Sequence, residues 1–374
     1  ILNIIRTGIY QILFCDRIPD FAVCSESVLL AKKYGHKGSI GFVNGILRNI
    51  VRNKEKIQYP NKDKNIYEYL SIFYSIPVWI VKRWIKIFGI DFTKSILEYN
   101  LKKESKLTIR INSLKIELND LQEMLKSDSI LGRKSSIIKN ALIIDEPKDI
   151  INLNLYKEGF FSIQSECSML VTEILNPREN DFIIDLCSAP GGKTAHIAEK
   201  MNNTGKIIAM DLHKSRLKNV LENEKRLGIN IIEIKENDGE ILNRSYMEKA
   251  DKVLVDAPCS GFGIINKRPD ILFNRKEEDI KKLVITQKNI LDNAAKYVKQ
   301  NGIIVYSTCT IEPGENEIQI KNFLERHKNF SLESIEEFLP DKLKKYLIED
   351  GFVTIYPHIN DLDGFFIARL KRKD

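Results

Sequence analysis

The chain lacks the usual signatures of metal, triphosphate and membrane chemistry. Its six cysteines, Cys15, Cys24, Cys167, Cys187, Cys259 and Cys309, form no Cys-x-x-Cys pair, and no His/Cys spacing would hold zinc. A reducing cytoplasm fits that usage. No apolar run approaches the roughly 20 uncharged residues that a membrane span requires, and no basic-apolar-small leader opens the chain. The dinucleotide pattern Gly-x-Gly-x-x-Gly is absent. A phosphate-binding P-loop fails as well, because Cys187 stands five positions before Gly192-Lys193-Thr194, where that loop needs glycine. Nor is there a strong charge bias: 58 basic minus 51 acidic residues give +7, which suits a phosphate-bearing partner and equally a solvated, lysine-rich surface.

What is present is an ordinary globular composition, 43% hydrophobic and 29% charged over 374 residues, enough for two or three domains with their own cores. Ile1 lies inside an apolar-periodic segment, so an amino-terminal module that is cut short is expected. Residues 1 to 56 read as short amphipathic helices broken at Pro19 and Gly35, with Phe42, Ile46 and Ile50 at helical spacing and Arg48, Arg52, Lys54 and Lys56 beside them. Tyr59 to Asn65 reads as a linker, and Pro77 to Ile85 as a helix with proline in its first turn. Both tryptophans, Trp79 and Trp84, are expected in the core. Leu107 to Asn112, a helix over Glu117 to Lys126, and Ala141 to Asp145 make a small β-α-β unit. It would suit a compact RNA-recognition-type fold, although it has no aromatic pair to stack bases.

From Phe182 onward strands and helices alternate. Apolar runs at 182–187, 206–211, 231–235, 252–256 and 302–307, separated by helical patterns such as 217–227 and 283–298, predict a doubly wound parallel sheet. Two closely spaced strands, 352–356 and 364–370, would finish it as a hairpin. In such a sheet the carboxyl ends of the strands line the ligand crevice. Two runs each deliver a cysteine there, Cys259 after Asp256-Ala257-Pro258 and Cys309 after Ser307-Thr308. Alone, either thiol reads as a small buried hydrophobe; together they point to covalent chemistry on one substrate. A third run ends in Asp185-Leu186-Cys187-Ser188-Ala189-Pro190-Gly191-Gly192-Lys193-Thr194, a small-residue turn followed by a helix beginning near Thr194. Asp211, 19 residues past Gly192, is placed for ribose hydroxyls, and Asp238 could accept from an adenine amino group. Each aspartate alone would read as a cap. With the turn, they point to adenosine without a polyphosphate, hence to S-adenosyl-L-methionine.

These three motifs, 185–194, 256–261 and 307–310, closely resemble the Sun/NOP family of RNA cytosine-5 methyltransferases over roughly residues 150 to 374. Gly41-Phe42-Val43-Asn44-Gly45-Ile46-Leu47-Arg48-Asn49 resembles the last helices of the NusB-like domain that precedes the catalytic part in the small-subunit ribosomal RNA branch of that family. The resemblance implies a class I S-adenosyl-L-methionine-dependent methyltransferase domain over 151–374, α/β and Rossmann-like, with a mostly parallel seven-stranded sheet. A partial NusB-like helical domain at 1–60 and a helical linker with a small α+β RNA-binding module at 61–150 would precede it. It implies methylation of cytosine C5 in 16S ribosomal RNA through a covalent adduct. Cys309 would add to C6, Asp256 would bind the N3/N4 edge, and Cys259 would assist removal of the C5 proton and release of Cys309. Cys187, Ser188, Ala189, Pro190, Gly191, Gly192 and Lys193 would line the cofactor, with Asp211, Asp238 and Asp256.

The target base must be flipped to reach such a site. A cytoplasmic monomer that meets ribosomal RNA before or during subunit assembly, with no metal and no membrane, is expected. A tRNA-acting relative shares the chemistry. A NusB-like RNA-binding protein without turnover is the reading of a different class, and Asp185, Asp211, Asp238 and Asp256 together with both thiols argue against it. Lys267-Arg268-Pro269-Asp270 stands where the family usually has Arg-His-Pro-Asp, with Arg268 in place of the histidine. Cys15, Cys24 and Cys167 read as structural, and His358 as a packed or capped residue.

Overall fold

The computed structural model describes residues 1–101, 106–147 and 149–373. The chain divides into two compact units, Ile1–Phe73 and Tyr74–Asp374. The first unit is all helical: α1 (Leu2–Phe14), α2 (Asp20–Tyr34), α3 (Lys37–Arg52) and α4 (Ile66–Phe73). Pro19 sits at the amino-terminal cap of α2 and Gly35 at its carboxyl-terminal cap. Ile5, Ile12, Val23, Ala31, Val43 and Leu47 form its apolar core. The buried stripe of α3 centres on Val43 and Leu47, with Ile46 and Ile50 packed beside it, so Phe42 falls off the face and is 58% exposed.

The second unit opens with α5 (Val78–Phe88) and α6 (Ile90–Leu101). Pro77 occupies the cap of α5, one step before the first turn, where its missing N–H costs nothing. Trp84 is fully buried. Trp79 is only half-buried, its ring 6.1 Å from that of Phe262, so the expectation of two core tryptophans holds for one. A four-stranded antiparallel sheet follows, built from β1 (Leu107–Ile111), β2 (Gly132–Lys134), β3 (Ala141–Ile144) and β4 (Phe161–Ile163) in the order β2-β3-β1-β4. The helix α7 (Leu118–Ser127) buries Leu121 and Leu125 in the same apolar cluster as Ile109, Ile111, Leu142 and Phe161. The β-α-β pattern read from sequence is the middle of this module. The short helices α8 (Asn154–Lys157) and α9 (Glu166–Leu175) lead out of it.

The large sheet contains β5 (Phe182–Asp185), β6 (Lys206–Asp211), β7 (Ile232–Glu236), β8 (Ala250–Asp256), β9 (Val298–Thr308), β10 (Phe330–Leu332), β11 (Leu347–Glu349), β12 (Phe352–Ile355) and β13 (Phe365–Arg372). Their order is β11-β12-β13-β9-β8-β5-β6-β7, with β10 on β13. The five strands from β7 across to β9 are parallel, and β13 and β12 run antiparallel to their neighbours. Among the described residues the sheet therefore has nine strands rather than the expected seven. The two extra, β10 and β11, are three-residue edge strands too short to show an alternating pattern.

Ile, Val and Leu fill both faces of the central strands because helices cover them on each side. Those helices include α10 (Gly192–Lys200), α11 (Lys214–Leu227), α13 (Glu277–Tyr297) and α14 (Glu317–Arg326), and the short α12 (Ile271–Asn274) lies between β8 and α13 in the chain. α10 starts at Gly192, two residues before the expected Thr194, because Gly191 makes the turn at φ +100°. The strand order reverses between β5 and β8, and in open α/β sheets ligands bind at that reversal, outside the strand carboxyl ends.

Candidate active site

A cavity of about 550 Å³ opens at this reversal, with walls contributed by Cys187 after β5, Asp211 at the end of β6, Asp256 at the end of β8 and Cys259 after it, and Cys309 after β9. Seven of the predicted site residues, Cys187, Ala189, Asp211, Asp238, Asp256, Cys259 and Cys309, line it together.

The remaining five stand behind or beside it. Ser188 is buried and donates through both N and Oγ to Met210 O, at 2.8 and 2.9 Å, stitching the turn to β6. The ring of Pro190 is exposed. Gly191 lies at φ +100°, and a Cβ there would meet Val220 Cα at 3.0 Å, so only glycine fits both conformation and space. Gly192 and Lys193 start α10. Lys193 Nζ reaches across to Asp256 Oδ2 at 2.7 Å. Burial works against its charge, but the Asp256 carboxylate more than offsets this and holds its pKa above the ordinary lysine value.

On the cofactor side, Asp211 is buried and caps its own turn. Its Oδ2 accepts from Ala189 N at 3.2 Å, its Oδ1 from His213 N at 3.0 Å, and Arg216 lies 3.5 Å away. Asp238 is half-buried, and its Oδ1 accepts from Glu240 N at 2.9 Å. Asp185 lies beneath the turn, its Oδ2 accepting from Thr194 Oγ1 at 2.8 Å. Complete burial pushes Asp185 up to about 7 against the lowering effect of that bond, and the nearby Asp256 charge adds to the rise.

On the other side, Asp256 and Ser307 are register partners on β8 and β9, and Ser307 Oγ donates to Asp256 Oδ1 at 2.8 Å. One step beyond, Cys259 Sγ and Cys309 Sγ approach to 3.4 Å. The hydrogen bond to Cys309 and burial push the Cys259 thiol well above its ordinary value. Cys187 is likewise pushed up, first by burial and then by the charge of Asp185.

Sequence reasoning missed the scaffold behind the thiols. Glu315, fully buried, accepts at Oε2 from Ser260 N (2.9 Å) and Gln287 Nε2 (2.8 Å), and Gln287 Nε2 also donates to Pro258 O (2.9 Å). Arg275 donates to Cys259 O at 3.0 Å. Burial raises the Glu315 pKa. None of these carries a local pattern, and only the position of Glu315 shortly after the Cys309 motif could have drawn attention to it. Arg268 lines the cavity and pairs with Asp270 at 3.1 Å, whereas the preceding Lys267 pairs with Asp363 at 2.6 Å. His358 packs edge-on against Phe92 at 4.5 Å, and burial lowers its pKa. Cys24 and Cys167 are buried, Cys167 within 3.3 Å of Asp363 O, and Cys15 is half-buried.

The cavity suits S-adenosylmethionine. Its volume falls in the range of small-molecule sites, roughly 300–1,000 Å³. Asp211, Asp238 and Asp256 all present carboxylates to it, a set of acceptors that fits a cationic nucleoside. Strand order, reversal-point crevice and glycine turn define the class: a class I methyltransferase fold. The comparisons then give the branch. Residues 172–371 match the model described as 16S rRNA methyltransferase RsmB/F, residues 1–52 the NusB family, and residues 76–151 the RsmF/B-like ferredoxin-like domain. The chain is 36% identical over 375 residues to the probable ribosomal RNA small subunit methyltransferase B of Bacillus subtilis, covering 100% of this chain and 83% of that one. It is 34% identical to the corresponding protein of Synechocystis, over 99% and 82%. The crystal structure of PH0851 superposes with a TM-score of 0.86 at 30% identity, over 98% of this chain and 81% of that one. The chain belongs to the RsmB/F family of 16S rRNA methyltransferases, and it is an enzyme of ribosomal RNA methylation. Among the described residues no helix is long and apolar enough to cross a membrane.

Proposed function

We propose that this protein methylates C5 of a cytosine in 16S ribosomal RNA, with S-adenosylmethionine as donor, through a covalent bond between Cys309 and C6 of the base. The observation that carries this reading is the 3.4 Å approach of Cys309 and Cys259 one step beyond Asp256. Cytosine C5 is a poor nucleophile, and addition of a thiolate to C6 makes it enamine-like. By the family resemblance, Cys309 is the sulfur that attacks. Asp256, paired with Lys193 at 2.7 Å, accepts from the N4 amino group and from N3–H, N3 having taken up the Cys309 thiol proton as the sulfur bonds to C6. Bound S-adenosylmethionine supplies an electrophilic methyl group on a sulfonium centre. After transfer the C5 proton must leave and the C6–S bond must break. Cys259, 3.4 Å from Cys309, assists removal of that proton; the C5–H electron pair forms the C5=C6 bond as the C6–S pair leaves with Cys309. A ribosomal RNA substrate puts the reaction in the cytoplasm, and the cofactor end is assigned to Asp211, Asp238 and the turn 187–193.

The test is to trap the adduct. Cys259→Ala should add to C6 and transfer the methyl group but stall before elimination, leaving a protein-RNA species stable on denaturing gels. Cys259→Ala/Cys309→Ala should leave none. If the species instead accumulated with Cys309→Ala, the two thiols would have exchanged roles and the assignment would fall.

A further inference from the structure

The first turn of α10 is tied at three successive residues to three different elements. Thr194 Oγ1 donates to Asp185 on β5 and Lys193 Nζ to Asp256 on β8. The third tie comes from the four-stranded module: Arg110 Nη1, on β1, donates to Gly192 O at 2.9 Å. Arg110 is 1% exposed. Its Nε and Nη2 form a bidentate pair with Glu199 at 2.9 and 2.8 Å, and its Nη1 also reaches Gln164 Oε1. Gly192 and Glu199 are two helical turns apart, so one planar guanidinium spans a face of α10.

The module also grips α11, the helix behind the glycine turn. Asn112 Nδ2 donates to Leu227 O at 2.9 Å, and Arg226 Nη1 returns a bond to Phe161 O at 3.0 Å. α11 in turn holds the turn itself, with Arg216 donating to Ala189 O at 2.8 Å. Stability alone does not explain a buried arginine here, since desolvation makes such pairs no better than apolar residues of similar size. Its fork does something an apolar side chain cannot: it fixes both the rotation of α10 and the point at which it starts.

We propose that Arg110 is a positioning residue for the cofactor turn and for Lys193. Acting through Gly192 O, it sets how residues 188–192 face the cavity and how Lys193 meets Asp256, so the small module is part of the cofactor site. This inference rests on the function proposed above.

Removing Arg110 alone would strand the Glu199 charge, so two variants are needed. Arg110→Met/Glu199→Met replaces the pair with apolar residues, and Arg110→Lys keeps a charge opposite Glu199 but loses the fork, which guards against a double variant that fails to fold. Calorimetry with S-adenosylmethionine, thermal unfolding, RNA binding and 16S rRNA methylation would be measured on the full chain. Both variants should bind the cofactor about tenfold more weakly, the scale of one hydrogen bond from a charged donor, and show a raised KM for it. Affinity for RNA should be unchanged. Variants that bind the cofactor as tightly as wild type, whatever their melting temperatures, would overturn the positioning role and leave the functional reading intact. A wild-type protein that bound no S-adenosylmethionine would instead overturn that reading, and this inference with it.

Discussion

The two walls of the cavity are built by different means. Around the glycine turn the work falls to the main chain: amides of Ala189 and Ser188, a left-handed Gly191, and carboxylates that cap neighbouring N–H groups. Around the thiols it falls to side chains far apart in sequence, with Glu315, Gln287 and Ser307 holding the segments that carry Cys259 and Asp256. A wall of backbone can approach a ligand closely and tolerates little movement. A wall of interlocked side chains can hold two reactive sulfurs at a set distance, but each member then depends on its partners. The two halves should therefore fail separately.

The largest effect should come from Cys309→Ala. Methylation should fall by about 10⁴-fold or more, as when a covalent nucleophile is lost, while calorimetry with S-adenosylmethionine gives a near wild-type Kd. Substantial residual turnover would break the division at its most important residue. Asp211→Ala should do the reverse, weakening the cofactor by roughly 1.5–3 kcal/mol, the worth of hydrogen bonds to a charged group, with RNA affinity hardly changed. An unaltered cofactor Kd would mean that Asp211 serves only its own turn. Glu315→Gln should have the smallest effect. Exchanging charge-assisted bonds for neutral ones should slow methylation by about fivefold, near 1 kcal/mol, at constant cofactor affinity. A matching loss in cofactor binding would show that the two walls are coupled.

The same contrast explains what could be read from the sequence. The main-chain wall leaves local traces: an apolar run, a small-residue turn, an acid at the end of the next strand. The motif at 185–194 and the alternation from Phe182 onward are legible for that reason, and 256–261 is legible only because its acid and thiol are contiguous at a strand end. Glu315 and Gln287 look like ordinary helix-surface polar residues until β9 and α13 bring them together behind Pro258. Arg110 sits in Leu-Thr-Ile-Arg-Ile, where alternation would assign it to solvent, yet it is buried because α10 covers that face of the module. Phe42 errs in the opposite direction, an apolar residue on an exposed face.

The placement of β13 has a consequence for the order in which the chain can become active. This strand pairs with β9 on one side and β12 on the other, both of which precede it in sequence. Its register sets Phe366 against Thr308, beside Cys309, and just before it Gly364 N donates to Gly263 O at 2.7 Å, close to the segment that carries Cys259. During synthesis from the amino terminus, the glycine turn and β5 to β8 emerge long before this strand does. The thiol wall is completed only when residues 364–372 join β9, and the same strand brings the Phe365 ring to 5.4 Å from Lys193 Nζ at the edge of the cofactor wall.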